Sequence, residues 1–598
     1  MLLPQKIADY YNRELSYLRH YGTIFSRRFP KIARRLGMTE SGVEDPHVER
    51  LIESFAFLTA SIHQKIDEDM PELNQAMMEV LAPQFIRQIP SVSVVHFQPE
   101  PELSGMTGVL SVPRHTELLS RPVGEVMCRF RTVYPVDILP IHLTGASLTP
   151  DPFGRDFTLE LNFTSWPGAR FQAKGIRLYL NGTPTLSHSL YELLLSQVSE
   201  WSCSDGERSF DMSGGDIRAA GFGADECLCA DDMIINPVHH LFRDYCSLAE
   251  KFLFIELPLP GDTVISGPFK YRFRLKDSNA LRRIERVCDK IDINLFRLNC
   301  TPVVNLFPHK AEPLVLSEAE HEYLIQPDVR RPYSMEVYSV MSAFFFAPYR
   351  EDGCPDSVEI KPLLETGNAE EGGMYWQSTQ RISTQPEDHG MNTFIGFTDL
   401  RQQPATPGVE MVMLNVMCTN RDVPQKLNNG HPEGDFEAEC SLPGVKVKGL
   451  IRPRPPVRPL QDCTHYWKMI AQFNLNHMLL AGSHGAKYLR ETLALYNIQN
   501  DVVISQLISA LQHVNITTVC ARLEPADPYS LAKGLEVTLT FQLHVEEYVD
   551  FFLFCSVLER FIALYAPVNS FTQVVTRVAG LEHLERRWPR RCGRLSWL

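Results

Sequence analysis

Several short runs in this chain carry residue types that catalysis uses. Gly482-Ser483-His484-Gly485 sets a hydroxyl beside an imidazole, the pair a nucleophilic hydrolase needs. The strand-to-helix elbow of such enzymes reads Gly-x-Ser-x-Gly, and the spacing here differs. His239-His240 brings two metal-ligating side chains together, but neighbours on a helix point apart and make poor co-ligands. Cys227-Leu228-Cys229 has no second cysteine pair, and no C-x-x-C occurs, so a zinc site is not indicated. Gly214-Gly215 and Gly221-Phe222-Gly223 fit neither a phosphate loop nor a dinucleotide fingerprint. Asp231-Asp232 and Glu370-Glu371 read as solvated loop charges. Glycoside hydrolysis draws its two carboxylates from distant strands. A β-rich carbohydrate-active hydrolase is therefore the enzymatic alternative that stays open. No catalytic, cofactor-binding or metal-ligating residue stands out, and no cofactor is expected.

Two basic clusters have a functional and a plain reading. Arg27, Arg28, Lys31, Arg34 and Arg35 lie near the end of a first helix, where cations favour the helix C-terminus. Arg586, Arg587, Arg590, Arg591 and Arg594 crowd the chain end beside Trp588 and Trp597 and read as a frayed tail. An acidic partner or nucleic acid is the functional reading of both. Against nucleic acid stands the overall balance: 58 Lys and Arg against 72 Asp and Glu give a net charge of −14. The 598 residues suffice for several domains, and 44% hydrophobic with 22% charged residues is ordinary for globular chains. Lys6, Asp9, Arg13, Glu14 and Arg19 interrupt the first 21 residues, so no secretory signal is read there, and the location expected is cytoplasmic. The longest apolar stretches, such as Phe551–Leu558, fall far short of the ~20 residues that span a bilayer. Fourteen cysteines in so long a chain read as free, mostly buried thiols.

The elements follow from periodicity. Residues 1–90 read as helical and bundle-forming. Tyr10, Tyr11, Tyr17, Leu18, Tyr21 and Phe25 recur at helical spacing on two stripes, and a helix apolar on more than one face is usually sandwiched between partners. These six are the candidate partner-interface residues; core of a bundle within one chain is the other reading of such a stripe. Val48, Leu51, Ile52, Phe55, Leu58, Ile62 and Ile66 give a second helix one clean stripe. A third is expected from Pro71 through Leu73, Met77, Val80 and Leu81.

Between Val92 and about residue 445 the period falls to 2. Alternation through Phe157–Phe163, Ile176–Leu180, Tyr271–Leu275 and Val412–Val416 predicts mostly antiparallel strands in one or two sandwiches, with Asn181-Gly182 as a hairpin-type turn. One helix candidate, Pro237–Glu250, interrupts them. Thr366–Met391 and Pro424–Gly444 read as long loops. Four prolines in Arg452–Pro459 predict an extended linker. Beyond it, helices are expected near Thr464–Leu479, Ala486–Tyr496, Val502–Leu511 and Val549–Leu564, with strands at Thr517–Leu523 and Leu535–Leu543. The helix over 549–564 is apolar in nearly every direction, which suits a core or an assembly helix. The expected organisation is multidomain α+β: a helical region over 1–90, a mostly antiparallel β region of one or two domains over 91–450, and a C-terminal α+β domain over 451–598.

Eight landmarks in order resemble one family. They begin with Asp45-Pro46-His47-Val48-Glu49-Arg50-Leu51-Ile52-Glu53 running into Phe55-Ala56-Phe57-Leu58, then Pro71-Glu72-Leu73 and Glu250-Lys251-Phe252-Leu253-Phe254. Cys300-Thr301-Pro302-Val303-Val304-Asn305-Leu306-Phe307 with Ala311-Glu312-Pro313 is the most distinctive. Arg330-Arg331-Pro332 with Glu336-Val337-Tyr338, Cys418-Thr419-Asn420-Arg421-Asp422, Ser556-Val557-Leu558-Glu559-Arg560-Phe561 and Asn569-Ser570-Phe571-Thr572 complete them. This order resembles the TssF (VasA, ImpG) family, baseplate subunits of the bacterial type VI secretion system that are similar to wedge proteins of contractile phages. The resemblance implies a structural part of a contractile injection system with a wing-like β region. It implies two TssF copies embracing one TssG, joined by TssK and TssE, with neighbouring wedges closing around a VgrG hub as the platform for sheath and tube. It implies a cytoplasmic complex docked at the inner membrane through other subunits, without nucleic acid or membrane insertion of its own. The arginine-rich end after about residue 585 is no landmark of that family. A secreted effector or adhesin is the remaining alternative.

Overall fold

The computed structural model describes residues 5–592 apart from 36, 40–41, 44, 70–77, 79–82, 101–104, 152–155, 206–208, 214–216, 230–236, 260–263, 289–290, 318–319, 347–356, 364–373, 384, 386–387, 389, 399–410, 460–468, 470–483, 523–530, 544–548 and 564–569. The chain divides into two compact units, Met1–Ile86 with Leu460–Asn474 and Arg87–Pro459 with Leu475–Leu598.

In the first unit, helices Gln5–Arg28 and Pro46–Asp69 pack as an antiparallel hairpin, joined through a short helix Pro30–Arg35 and a two-stranded ribbon of Met38–Thr39 and Gly42–Val43. Asp45 starts the second long helix: its carboxylate accepts the His47 N–H at 2.9 Å, and Pro46 takes the first helical position, where a missing N–H costs nothing. The helix expected from Pro71 lies outside the described residues except Met78.

The second unit is β-rich and is built from several sheets. Val92–Pro99, Glu117–Ser120, Arg129–Thr132, Cys300–Val304, Phe436–Ala438 and Val445–Gly449 close into a six-stranded antiparallel barrel. Its core holds Val95, Phe97, Leu118, Phe130, Val303 and Val447, the inward positions of strands that alternate across the pleat. A second sheet carries Glu336–Phe346, Ser357–Pro362, Tyr375–Ile382, Met391–Thr398 and Met411–Thr419 at its centre, over a core of Val337, Ile360, Trp376, Ile395, Val412 and Leu414. Between barrel strands 129–132 and 300–304 the chain inserts a five-stranded and a four-stranded antiparallel sheet.

The C-terminal part is a sheet of Leu511–Arg522, Leu531–Phe541, Phe571–Val578 and Leu581–Arg587, with Arg591–Cys592 paired to Phe571–Thr572. Strands 531–541 and 571–578 run parallel, so their connection must cross the sheet, and helix Phe551–Ala563 makes that crossover. This helix is buried on nearly every side. It packs on helices Pro184–Ser196 and Pro237–Ser247, where Phe242, Tyr245, Tyr496, Phe554 and Phe561 form one aromatic cluster. Of the two readings of its all-round apolarity, core within the chain is the one observed.

The α+β class and the alternating strands stand, while several local expectations are corrected. Asn181-Gly182 does not close a hairpin; Thr183 and Pro184 open helix Pro184–Ser196, a start that proline at the first position favours. A further helix, Asn279–Val287, is capped by Ser278, whose hydroxyl accepts the Leu281 N–H. The 92–445 region thus holds three α-helices among the described residues, not one. The two long loops contain strands: Tyr375–Ile382 pairs with Met391–Thr398, and Phe436–Ala438 completes the barrel. Arg452–Pro459 is extended, as its prolines require, and is tied on both sides to the β body. Arg454 N–H donates to Val92, Ser91 Oγ to the Arg454 carbonyl, and Ile89 and Val457 exchange both backbone bonds. The helix expected near Thr464–Leu479 lies outside the described residues except Met469.

Candidate functional site

The runs that suggested chemistry are occupied with structure. The glycines of Gly221-Phe222-Gly223 aim their N–H groups at an anion, but that anion is the chain's own Glu226 carboxylate, which accepts both at 2.8 and 3.0 Å. Cys227 and Cys229 are buried, and burial pushes the Cys227 thiol up to about 12, where it stays protonated. His240 is buried in helix Pro237–Ser247. Asp231-Asp232, Glu370-Glu371, Gly214-Gly215 and Ser483 lie outside the described residues. Among the described residues no group of three His, Cys, Asp or Glu is placed to hold a metal ion, and no helix is long and apolar enough to cross a membrane.

The N-terminal helices are turned inside out for a two-helix hairpin. Their mutual face is small or polar. Ala56 and Ala60 are fully buried, Glu14 and Ser26 are buried, and Glu14 meets His63 at 2.9 Å. Arg19 reaches Glu49 at 3.1 Å. The clean stripe of the second helix, which ought to mark its buried side, faces out instead: Leu51 is 69%, Phe55 58%, Leu58 60% and Ile62 51% exposed. On the first helix Tyr17 and Tyr21 stack at 4.5 Å between ring centres and Phe25 meets Phe29 at 5.3 Å, all four exposed. Tyr10, Tyr11 and Leu18 are half-buried. The stripe therefore divides, with Tyr17, Tyr21 and Phe25 on the open face. Alanine at Ala56 and Ala60 lets the backbones approach, and the large side chains are left for something else to cover. The neighbouring basic cluster matches the plain reading, since Arg27, Arg28, Arg34 and Arg35 occupy the last turns of their helices.

The opposite situation holds where barrel and second sheet meet. Here the chain buries polar and charged groups and satisfies them against each other. Asn305 Nδ2 donates to the Arg129 carbonyl at 2.6 Å and to Asn420 Oδ1 at 2.8 Å. Asn420 N–H returns a bond to Asn305 Oδ1 at 2.6 Å, and Asn420 Nδ2 reaches the Ser334 carbonyl. Glu336, only 1% exposed, accepts from Arg458 at 3.0 Å and from the Met391 N–H at 2.8 Å. Burial pushes the Glu336 carboxyl above its ordinary value, opposed by Arg458. Arg458 also reaches Asp422 at 3.1 Å. Arg421, held at φ 48°, extends to Asp388 at 2.7 Å and Asn392 at 3.1 Å. A non-glycine residue rarely keeps such a φ unless its surroundings hold it there. Three landmark runs, containing Asn305, Glu336 and Asn420–Asp422, thus converge on one buried polar joint, and the proline-rich run supplies its arginine.

A second strut joins the same run to the inserted sheets. Arg454 grips Glu250 with two bonds of 2.8 Å, while the adjacent Lys251, 1% exposed, is paired with Asp244. Arg331 bonds the Glu125 carbonyl at 2.6 Å, an intramolecular tie. The basic C-terminus is likewise structural through residue 592. Arg586 lies beside Glu192 at 3.5 Å and over the Phe552 ring, Arg591 pairs with the buried Glu559, and Trp588 is buried against Phe552. The frayed-tail reading is corrected, because each of these arginines has a carboxylate or ring waiting in the helices that the sheet covers. Periodicity missed the joint because its members are single polar residues far apart in sequence. The positive φ at Arg421 leaves no compositional trace.

Comparison with known proteins agrees with these landmarks. The profile of the family described as "Type VI secretion system, TssF" matches residues 3–595. The type VI secretion system component TssF1 of Pseudomonas aeruginosa is 28% identical over 609 residues, covering 96% of each chain. Among solved structures, a chain of a TssK-TssF-TssG baseplate subcomplex determined by cryo-electron microscopy superposes with a TM-score of 0.70 at 24% identity, over 92% of this chain and 99% of that one. A chain of a type VI secretion baseplate complex superposes with a TM-score of 0.57 at 23% identity, over 97% and 98%.

Proposed function

This chain belongs to the TssF family of the type VI secretion system, and from that premise we propose that it serves as a non-enzymatic structural subunit of the baseplate, docking through its N-terminal helical hairpin. The hydrolase and the effector or adhesin readings are set aside by the family. One observation carries the choice of surface: the hairpin keeps Tyr17, Tyr21, Phe25, Leu51, Phe55 and Leu58 in solvent while closing on itself through alanines. A contiguous exposed apolar face of this kind is a site awaiting a partner. Helices from other chains are the natural cover, since an i, i+3/i+4, i+7 stripe of large side chains offers ridges for helix packing.

The solved complex that this fold resembles contains TssK and TssG, and these are the partners we assign, with TssG covering the hairpin together with a second copy of this chain. TssE, the VgrG hub and adjacent wedges follow from the same family reading, as does a cytoplasmic place for the assembly with membrane docking left to other subunits. The β body is the rigid arm. Its buried ion pairs and asparagine pair fix the barrel against the second sheet, so force applied at one end moves the whole.

Co-expression with the neighbouring TssG- and TssK-family chains, capture on this chain and an absolute mass test the reading. The expected species holds two copies of this chain and one TssG-family chain. Triple replacement of Leu51, Phe55 and Leu58 by serine should abolish capture without unfolding the chain. A stable lone monomer, or capture indifferent to the triple replacement, would overturn it.

A further inference from the structure

Away from the helical hairpin, the β-rich unit holds a cleft of about 530 Å³ with a chemistry that its own fold does not exhaust. It opens between helix Asn279–Val287, the end of helix Pro184–Ser196, the start of helix Phe551–Ala563 and the C-terminal strand Leu581–Arg587. Four arginines line it, Arg282, Arg283, Arg286 and Arg586, against two carboxylates, Glu192 and Glu585. Both carboxylates are already shared. Glu192 serves Arg283 at 2.6 Å and Arg586 at 3.5 Å. Glu585 serves Arg577 at 3.0 Å and Arg587 at 3.7 Å.

The arginines are therefore in excess. Arg282 has only the sequence-local Asp277, at 2.9 Å, and Arg286 has no ion-pair partner among the described residues. Deeper in, Arg283 Nε and Arg586 Nη1 are buried without a hydrogen-bond acceptor. Burial depresses the pKa of Arg586, although Glu192 opposes the effect. Beside this cationic wall runs an aromatic one: Phe552 and Trp588 stack at 5.4 Å, and the Arg586 guanidinium lies 4.4 Å over Phe552.

We propose that this cleft is a docking site for an acidic peptide segment of a partner protein, its carboxylates taken by Arg282 and Arg286 and an intervening apolar side chain laid on Phe551 and Trp588. The planar guanidinium fork matches a carboxylate with two parallel bonds. The apolar wall rewards a chain in which acidic and apolar residues alternate, as an extended segment places them on opposite sides. Glu192 and Glu585 in the lining disfavour a continuous phosphate backbone, and the chain as a whole is acidic. Only the protein nature of the occupant rests on the assembly reading above; binding at the cleft needs none of the baseplate partners.

The test is calorimetric titration of the full-length chain with the N-acetylated pentapeptide Glu-Phe-Glu-Phe-Glu, beside its Gln-Phe-Gln-Phe-Gln counterpart. The acidic peptide should bind, weaken with added salt and lose at least tenfold in affinity when Arg282→Glu and Arg286→Glu are combined. Both side chains are exposed, so thermal unfolding should be unchanged in that variant. Arg586→Lys, which keeps the charge and loses the stacked fork, should show a smaller loss. No binding at millimolar peptide, equal binding of the glutamine peptide, or affinity indifferent to the double charge reversal would each overturn the proposal. Displacement of the acidic peptide by an oligouridine RNA or by inorganic phosphate at lower concentration would also overturn it, in favour of a phosphate site. Peptide binding in a chain that fails to capture TssG-family partners would leave the cleft standing and sink the assembly reading alone.

Discussion

The N-terminal hairpin and the joint of the β body invert each other's chemistry. The hairpin leaves leucine, phenylalanine and tyrosine in water and buries alanine, serine and glutamate. The joint buries glutamate, arginine and asparagine and leaves none of their charges without a partner. A chain selected only for its own stability would do neither. Exposed apolar faces invite aggregation, and buried ion pairs seldom surpass the hydrophobic residues that could replace them. Together they describe a part made for assembly: an adhesive face on helices, and a body whose geometry is specified by directional bonds.

Breaking the joint should have the largest effect on the chain itself. Arg458→Ala leaves Glu336 buried without its counter-charge and should cost about 3–5 kcal/mol, read as a lowered denaturant midpoint. Gly534→Ala tests packing away from the charges. An added Cβ there would come within 2.5 Å of both the Phe571 ring and its carbonyl oxygen, and the backbone oxygen cannot swing aside. A loss of about 1–3 kcal/mol in chemical unfolding is expected.

Acid should find the barrel next. His96 lies opposite Lys448 on the neighbouring strand, and burial, with Arg297 and Lys448, lowers its pKa to about 4. The unfolded chain takes a proton near pH 6.5 that the folded one refuses. Stability tied to neutral His96 is thus complete above that pH and is lost as pH falls toward 4, by up to about 3 kcal/mol. His96→Gln should flatten that part of the stability profile. If the slope persists, the ring is not held neutral. The smallest effect on stability belongs to the hairpin. Leu51→Ser with Phe55→Ser should change the unfolding free energy of the isolated chain by no more than about 0.5 kcal/mol. Partner capture should fall sharply all the same, which separates the adhesive face from the body.

What the sequence disclosed follows the same division. Period-2 runs such as Phe157–Phe163 and Tyr271–Leu275 became strands because one side of each is buried. Helix Pro46–Asp69 was legible from Pro46 and its apolar stripe, but the direction the stripe faces was not, because periodicity reports which residues share a face and not what covers it. Helix Pro184–Ser196 was hidden by Asn181-Gly182, a turn signal that here precedes a proline-started helix. Strand Phe436–Ala438 was hidden in a polar run because three residues suffice when a barrel on either side supplies their partners. The joint was present as landmarks with no stated role. Asn305, Glu336 and Asn420 lie up to 115 residues apart and meet only through the register of strands 300–304 and 411–419.

Amide hydrogen exchange on the chain alone and in its captured complex tests the central claim most directly. Protection gained on assembly should fall on helices Gln5–Arg28 and Pro46–Asp69, with the amides of Cys300–Asn305 and Met411–Asp422 equally protected in both states. Unchanged exchange in the helices, with new protection confined to the β body, would contradict the account.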